Sequence, residues 1–347
     1  MLAFQEENYK NNKKYLTAFE MTKLLSPLKN TDGYDWLKEV SNASLQYVCI
    51  YLDKAYRDFF KDKKRHPRFK SRKNTKFIYP ITKDRSHFND DNTVTIPKIG
   101  KIKIKKYPII TGKIYAMHIS YINNKWILSY SVQCENQTFD LTDKSMGIDL
   151  GVKELATVSY GDERIVFHNI NKSMQIRTLE HKLRYIQHII SRKYNTNGNY
   201  IKSQNILKYE HIAKNIQYRL KNIRHNYIHQ VTHKLTMLLP QNIIMEDLHL
   251  SHMLKNKHLS KELQNQCLYE FIRQMKYKCE WNGIQFIQAD RYYPSSKTCS
   301  CCGNIKKNLK LSDRIYNCEK CGLSIDRDYN AAINLMRYVS HGEGFTA

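Results

Sequence analysis

Apolar positions in residues 1–60 return at mixed three- and four-residue steps: Tyr15, Phe19, Met21, Leu24 and Leu25, then Val48, Ile50, Leu52, Tyr56 and Phe59. With almost no glycine to interrupt it, this spacing predicts helices. From residue 77 to 134 the period falls to two. The stretches NTVTIP, GKIKIKKY, KIYAMHISY and KWILSYSV are rich in β-branched and aromatic residues, punctuated by Pro97, Gly100, Gly112 and Asn123–Asn124. Four or five short strands in a small barrel or antiparallel sheet are expected there. Residues 145–168 form a second strand group: SMGIDLGV, ELATVSY, the turn GDE, then RIVFH.

Two helical stretches follow. Ile176, Leu179, Leu183, Ile186 and Ile190 lie at heptad spacing; after the break NTNGN, Ile206, Tyr209, Ala213, Ile216, Leu220, Ile223 and Tyr227 step alternately by three and four. A seam sustained over that length predicts an antiparallel helical hairpin. The strand QNIIMEDL, an amphipathic helix over about 261–281, the short strand FIQAD, a cysteine module and a helix beginning near Asp328 complete the chain.

Charge narrows the reading. Fifty-seven lysines and arginines against 32 acids leave a net charge of +25 over 347 residues, which points to a polyanionic partner. Residues 56–76 carry ten of the cations against two aspartates, and Phe59, Phe60 and Phe69 sit among them. Lys63, Lys64, Arg65, Arg68 and Lys70 are therefore candidate nucleic-acid contacts, and so is Arg224 on the hairpin, beside Arg192, Lys193, Lys208, Lys214, Arg219 and Lys221. The 25 tyrosines suit stacking on bases. An apolar content of 41% excludes a disordered basic tail. No apolar run reaches the ~18 residues of a membrane span, and the N-terminus lacks the pattern of a signal peptide, so a cytoplasmic protein without membrane contact is expected.

Cys299, Cys302, Cys318 and Cys321 stand as C-x2-C-x15-C-x2-C, with Gly303 and Gly322 after each pair. That is the spacing of a four-thiolate zinc ribbon, whose closed shell makes the ion structural. Three acidic positions have separate contexts: Asp149 in GIDLGV, Glu246 at the end of NIIMEDL, and Asp326 or Asp328 in SIDRDYNAAINL. Singly they read as a turn acid, a strand-end cap and a helix N-cap. Together, at the ends of two strands and a helix, three carboxylates can hold two divalent cations for in-line displacement at phosphorus, and hard oxygen ligands suit Mg2+ or Mn2+.

Through GIDLGVKELATVS, YRLKNIRHNYIHQVTHKLT, IIMEDLHLSHMLKN, MKYKCEWNG, YYPSSKTCSCCG and CGLSIDRDYNAAINL the chain resembles the TnpB family, transposon-encoded RNA-guided nucleases related to type V CRISPR effectors. HPRFKSRKN and IPKIGKIKIKK are similar to the family's basic segment and β-barrel. The resemblance runs from about residue 45 to 340. It implies an α/β fold: an RNase H-like (RuvC) nuclease domain with an inserted helical hairpin and a zinc ribbon, preceded by a helical segment and a small β-barrel. The expected boundaries are 1–76 (helical, with the basic arm), 77–140 (barrel), 141–298 (nuclease core with hairpin), 299–322 (zinc ribbon) and 323–347 (last nuclease segment and tail).

The resemblance also implies a guide RNA from the element's end, a double-stranded DNA target beside a short motif, and a companion transposase encoded nearby. Carried over by position, Asp149, Glu246 and Asp328 are the catalytic, metal-binding acids, with Asp326 the fallback for the third. Arg327 faces a phosphate or forms a local ion pair. The chain opens within what resembles the family's helical part, without the initial strand, so a shortened recognition segment is expected. An RNA-guided DNA binder that does not cut, and a transposase in its own right, are the rival readings.

Overall fold

The computed structural model describes residues 1–12, 14–61, 65–69, 77–81, 87–89, 91–105, 111–135, 138–196, 203–248, 253–256, 260–310 and 313–338. They fall into two units, Met1–Glu135 and Asn136–Ala347.

The first unit opens with three helices: α1 (Leu2–Asn12), α2 (Ala18–Leu28) and α3 (Asn42–Phe60). Thr17 and Glu20 close a reciprocal capping box at the start of α2, a device worth about 1 kcal/mol. Met21 and Leu25 of α2 pack on Leu45 and Cys49 of α3. The helices form as the spacing predicts, but of the positions it picked out Phe19, Leu24, Val48 and Ile50 are exposed, because steps of three and four fit more than one face of a helix. Asp53, almost wholly buried, is not left unpaired: Tyr15 Oη and Arg57 both donate to its carboxylate.

Six strands follow, in two antiparallel three-stranded sheets. β1 (Phe77–Ile81), β5 (Ile114–Ile122) and β6 (Lys125–Val132) form one; β2 (His87–Asn89), β3 (Thr93–Ile96) and β4 (Gly100–Lys103) form the other. Alternation delivers Ile81, Val94, Ile96, Met117 and Ile119 to one shared core. Asn123 and Asn124, both at positive φ (50° and 62°), make the tight turn between β5 and β6 that this dipeptide favours. The pattern undercounts because β1 and β2 are too short or too interrupted to show a period.

The second unit is built on a mixed five-stranded sheet in the order β11-β10-β7-β8-β9. β7 (Ser145–Leu150), β8 (Glu154–Tyr160) and β9 (Glu163–His168) form an antiparallel meander. β10 (Asn242–Glu246) lies parallel to β7, and β11 (Gln285–Ala289) parallel to β10. The hairpin inserted between β9 and β10 comprises α4 (Met174–Thr196) and α5 (Gln204–Thr236), and Ile176, Ile186, Ala213, Ile216 and Leu220 bury the expected seam. Helix α5 then runs on past Tyr227, and its last turns bury Ile228, Val231 and Leu235 against the sheet.

The single amphipathic helix expected over 261–281 is two helices, α6 (Ser260–Gln266) and α7 (Leu268–Asn282), broken at Cys267, which adopts a left-handed φ of 55°. Cysteine carries no sequence signal for that conformation. Phe271, Met275 and Cys279 of α7 complete the core on this face of the sheet with Met146, Ile148, Ile243 and Met245. The final helix, α8 (Arg327–Met336), covers the opposite face, where Leu335 meets Ile244 and Ala289. Its backbone comes so close to β7 that a Cβ on Gly147 would lie 2.0 Å from the Ala332 carbonyl oxygen. Only glycine fits there.

Candidate metal centres and their setting

Two sites emerge, one of sulfur and one of oxygen. The sulfur site closes locally. Gly303 and Gly322, both at φ 73°, let the chain fold back so that their N–H groups donate to the Cys299 and Cys318 carbonyls. The two knuckles bring the Sγ atoms of Cys299 and Cys321 to 3.6 Å and those of Cys302 and Cys318 to 3.5 Å. A tetrahedral ion with Zn–S bonds of about 2.3 Å would space its sulfurs by about 3.8 Å, so the quartet fits zinc. Backbone N–H groups of Cys321 and Lys320 draw the Cys318 thiol down, while desolvation and the crowding of neighbouring sulfurs push Cys302 and Cys321 up, so the quartet shares charge unevenly without an ion. Cys301 stays exposed and outside the quartet.

The oxygen site is assembled across the sheet. β10 and β7 are paired Ser145 with Asn242 through to Ile148 with Met245, an offset that sets Glu246 level with Asp149 on the neighbouring parallel strand. Both alternate onto the face that carries Gly147 and Ile244, which is the face under α8. Gly147 lies beneath Ala332 and Met336, so the first turn of α8, with Asp328, comes to the Asp149 end of the strand. Burial, and then the charges of Asp328, Glu246 and Asp326, push the Asp149 carboxyl well above the ordinary range, and the Arg327 guanidinium opposes them. Burial raises Glu246 as well, against Arg327. Like charges gathered this way, which Arg327 offsets only in part, form a donor set that a divalent cation would relieve. Among the described residues the cysteine quartet is the one set of three or more such donors drawn within 4.8 Å of one another, so the carboxylates are neighbours without closing a single-ion shell.

Asp326 and Asp328 separate here. Asp326 caps α8 by accepting from the Tyr329 N–H at 3.0 Å and pairs with Arg164 of β9 at 3.1 Å, so its carboxylate is employed structurally. Arg327 Nη1 donates to the Lys310 and Asp313 carbonyls while its charge acts on Asp149 and Glu246.

The basic candidates fare differently. Arg65 and Arg68 are exposed, beside Phe69 at 74% exposure; Lys63, Lys64 and Lys70 lie outside the described residues. Arg224 is engaged within the chain. Its Nε donates to Asn171 and its Nη2 to Glu180, each at 2.7 Å, and only 13% of the side chain is exposed.

Two residues that the sequence reading did not single out tie the sites together. Asn330 Nδ2 donates to the Thr298 carbonyl, and Asn334 Nδ2 to the Ser295 and Thr298 carbonyls, all at 2.7 Å; Asn330 Oδ1 accepts from the Ser300 N–H. Two asparagines four apart on a buried helix face were the available signal.

Comparison with known proteins agrees in extent with this arrangement. A family described as "Probable transposase" matches residues 129–257, the stretch holding Asp149 and Glu246. One described as "Cas12f1-like, TNB domain" matches residues 269–335, which hold the four cysteines and Asp328. The chain is 30% identical over 354 aligned positions to "Putative RNA-guided DNA endonuclease InsQ" of Escherichia coli, covering 96% of this chain and 84% of that protein. It is 27% identical to "Putative RNA-guided DNA endonuclease" of Streptomyces pristinaespiralis, over 90% and 75% of the respective lengths. It is 29% identical to "CRISPR-associated endodeoxyribonuclease Cas12f1" of Sulfoacidibacillus thermotolerans, over 61% and 50%.

Proposed function

This chain belongs to the TnpB family of RNA-guided DNA endonucleases of transposable elements, and we propose that it cuts target DNA at a RuvC-type site formed by Asp149, Glu246 and Asp328. The mixed sheet with helices on both faces is read as an RNase H-like core. The observation that carries the reading is the level placement of Asp149 and Glu246 on adjacent parallel strands with the first turn of α8 at the same strand ends.

These carboxylates would hold Mg2+ or Mn2+, which supply an activated water and stabilise the departing 3′ oxygen when bound. The chain's own contribution is orientation. The sheet register fixes two acids, α8 docked on Gly147 fixes the third, and Arg327 offsets their mutual repulsion. The cysteines would hold a structural zinc. Sequence choice falls to the guide RNA, whose backbone and that of the target DNA suit the basic surface that includes Arg65 and Arg68. Recognition of a short motif beside the target, and a companion transposase for strand joining, belong to the same reading. No helix among the described residues is long and apolar enough to cross a membrane.

Asp149→Ala or Glu246→Ala, assayed on plasmid DNA with the cognate RNA and Mg2+, is expected to lose cleavage by at least about a thousandfold while retaining guide and target binding. Cutting at the wild-type rate by either variant overturns the assignment. Intact, occupied target with the wild-type chain would instead favour a binder that does not cut.

A further inference from the structure

Asp149 is the penultimate residue of β7, and the chain turns just beyond it through Gly151, Val152 and Lys153 into β8. All three carbonyls of that turn accept hydrogen bonds from side chains distant in sequence. Gln266 Nε2 donates to Gly151 at 3.3 Å and to Val152 at 3.0 Å. Asn169 Nδ2 donates to Val152 at 2.8 Å, and Lys172 Nζ to Lys153 at 2.5 Å.

Behind this first layer, Asn171 Nδ2 donates to the Asn265 carbonyl at 3.1 Å while its Oδ1 accepts from Arg224. Arg224 in turn grips Glu180 of α4. A polar network therefore runs from the helical hairpin, through the junction of α6 and α7, to the turn that follows the proposed metal-binding acid.

Satisfying turn carbonyls does not require this. A surface turn can leave them to water, whereas burying a glutamine to 2% exposure and an arginine to 13% costs desolvation that only well-placed partners offset. The residue after Gln266, Cys267, is moreover held at a φ of 55°, unfavourable for a side-chain-bearing residue. Ordered donors aimed at one short turn hold it in place against α6 and the segment that precedes α4.

We infer that Gln266, with Asn171 and Arg224 behind it, is a positioning residue for Asp149, locking the β7–β8 turn so that the carboxylate is held in register with Glu246. The inference rests on the assignment of Asp149 as a metal-binding acid.

The test is Gln266→Met, which keeps the length of the side chain and removes its donors, in the full chain loaded with guide RNA. Single-turnover cleavage is expected to fall about tenfold to a hundredfold. Mn2+ affinity, read by electron paramagnetic resonance, is expected to weaken about tenfold. Guide and target affinities stay at wild-type values. A purely structural role would lower the thermal midpoint and every activity together, and would leave the Mn2+ affinity of the folded fraction unmoved.

Lys172→Met, at an exposed position, provides a second variant that does not disturb the buried layer; it is expected to shift both readouts the same way by about threefold. If Gln266→Met fails to fold, wild-type Mn2+ affinity in Lys172→Met overturns the proposal. Wild-type behaviour of both variants, with Asp149→Ala inactive, overturns the positioning role and leaves the acid assignment standing. Wild-type cleavage by Asp149→Ala overturns both.

Discussion

The sulfur site and the oxygen site of the second unit are built by opposite routes. Four cysteines within 23 residues close on themselves through two glycine-assisted knuckles, and the pieces of that module touch one another directly. The carboxylates come from positions 149, 246 and 328, and nothing local brings them together. A parallel strand pairing aligns the first two, and a helix that can approach only because residue 147 is glycine supplies the third. A site made by spacing is expected to depend on its ion for local order; a site made by packing is expected to persist as a fold and lose only its chemistry.

The sharpest way to break that contrast is to disable the sulfur site. Structural zinc contributes on the order of 10 kcal/mol to small thiolate modules, so Cys302→Ser is expected to abolish amide protection over residues 299–326, measured by hydrogen exchange, while β7, β8 and β10 keep theirs. Protection retained there would place the stability of the segment in its own apolar contacts, where Tyr316 is fully buried with Cys299 and Cys318. Asn330 and Asn334 latch the first knuckle to α8, so some loosening of α8 should follow.

Next comes the third acid. Asp328→Asn is expected to cost about a thousandfold in cleavage, about 4 kcal/mol of barrier, with the thermal midpoint unchanged. Asp326→Asn is expected to lose a cap and an ion pair, about 1 kcal/mol of stability, with much the smaller effect on rate. A larger rate loss in Asp326→Asn than in Asp328→Asn would move the proposed third ligand to Asp326.

Gly147→Ala addresses the packing route directly. A Cβ 2.0 Å from a helix carbonyl forces α8 to shift, at a cost of about 2–3 kcal/mol in denaturant titration, together with a loss of rate. Unaltered stability would mean that α8 docks less closely than described.

The smallest effect lies away from both sites. Arg273, and then Gln274, hold Glu270 of α7 down at about 2, below its ordinary range near 4.5. That contribution is fully present above about pH 4.5 and fades as pH falls toward 2. Glu270→Gln should therefore be less stable than the wild type at pH 7, and the gap should close on acidification.

Much of this was legible along the chain. The heptad seam from Ile176 to Tyr227 announced the hairpin, the runs SMGIDLGV, ELATVSY and RIVFH announced β7–β9, and cysteine spacing announced the thiol quartet, because each shows as a pattern of residue types along one stretch of chain. The break at Cys267 escaped because a left-handed cysteine has no compositional mark. The partners of Arg224 escaped as well, because a cation that bridges two helices and one that meets a phosphate are the same letter.

The sequence by itself determined most of the elements, the net charge and the cysteine quartet, all of which depend on residue type at short range. Only the tertiary structure decided that Glu246 stands level with Asp149, that Asp326 is spent on capping while Asp328 is not, and that Gln266 grips the turn beyond the first acid. Register, helix approach and buried hydrogen bonds are properties of pairs of segments. They exist only once the sheet has chosen its partners.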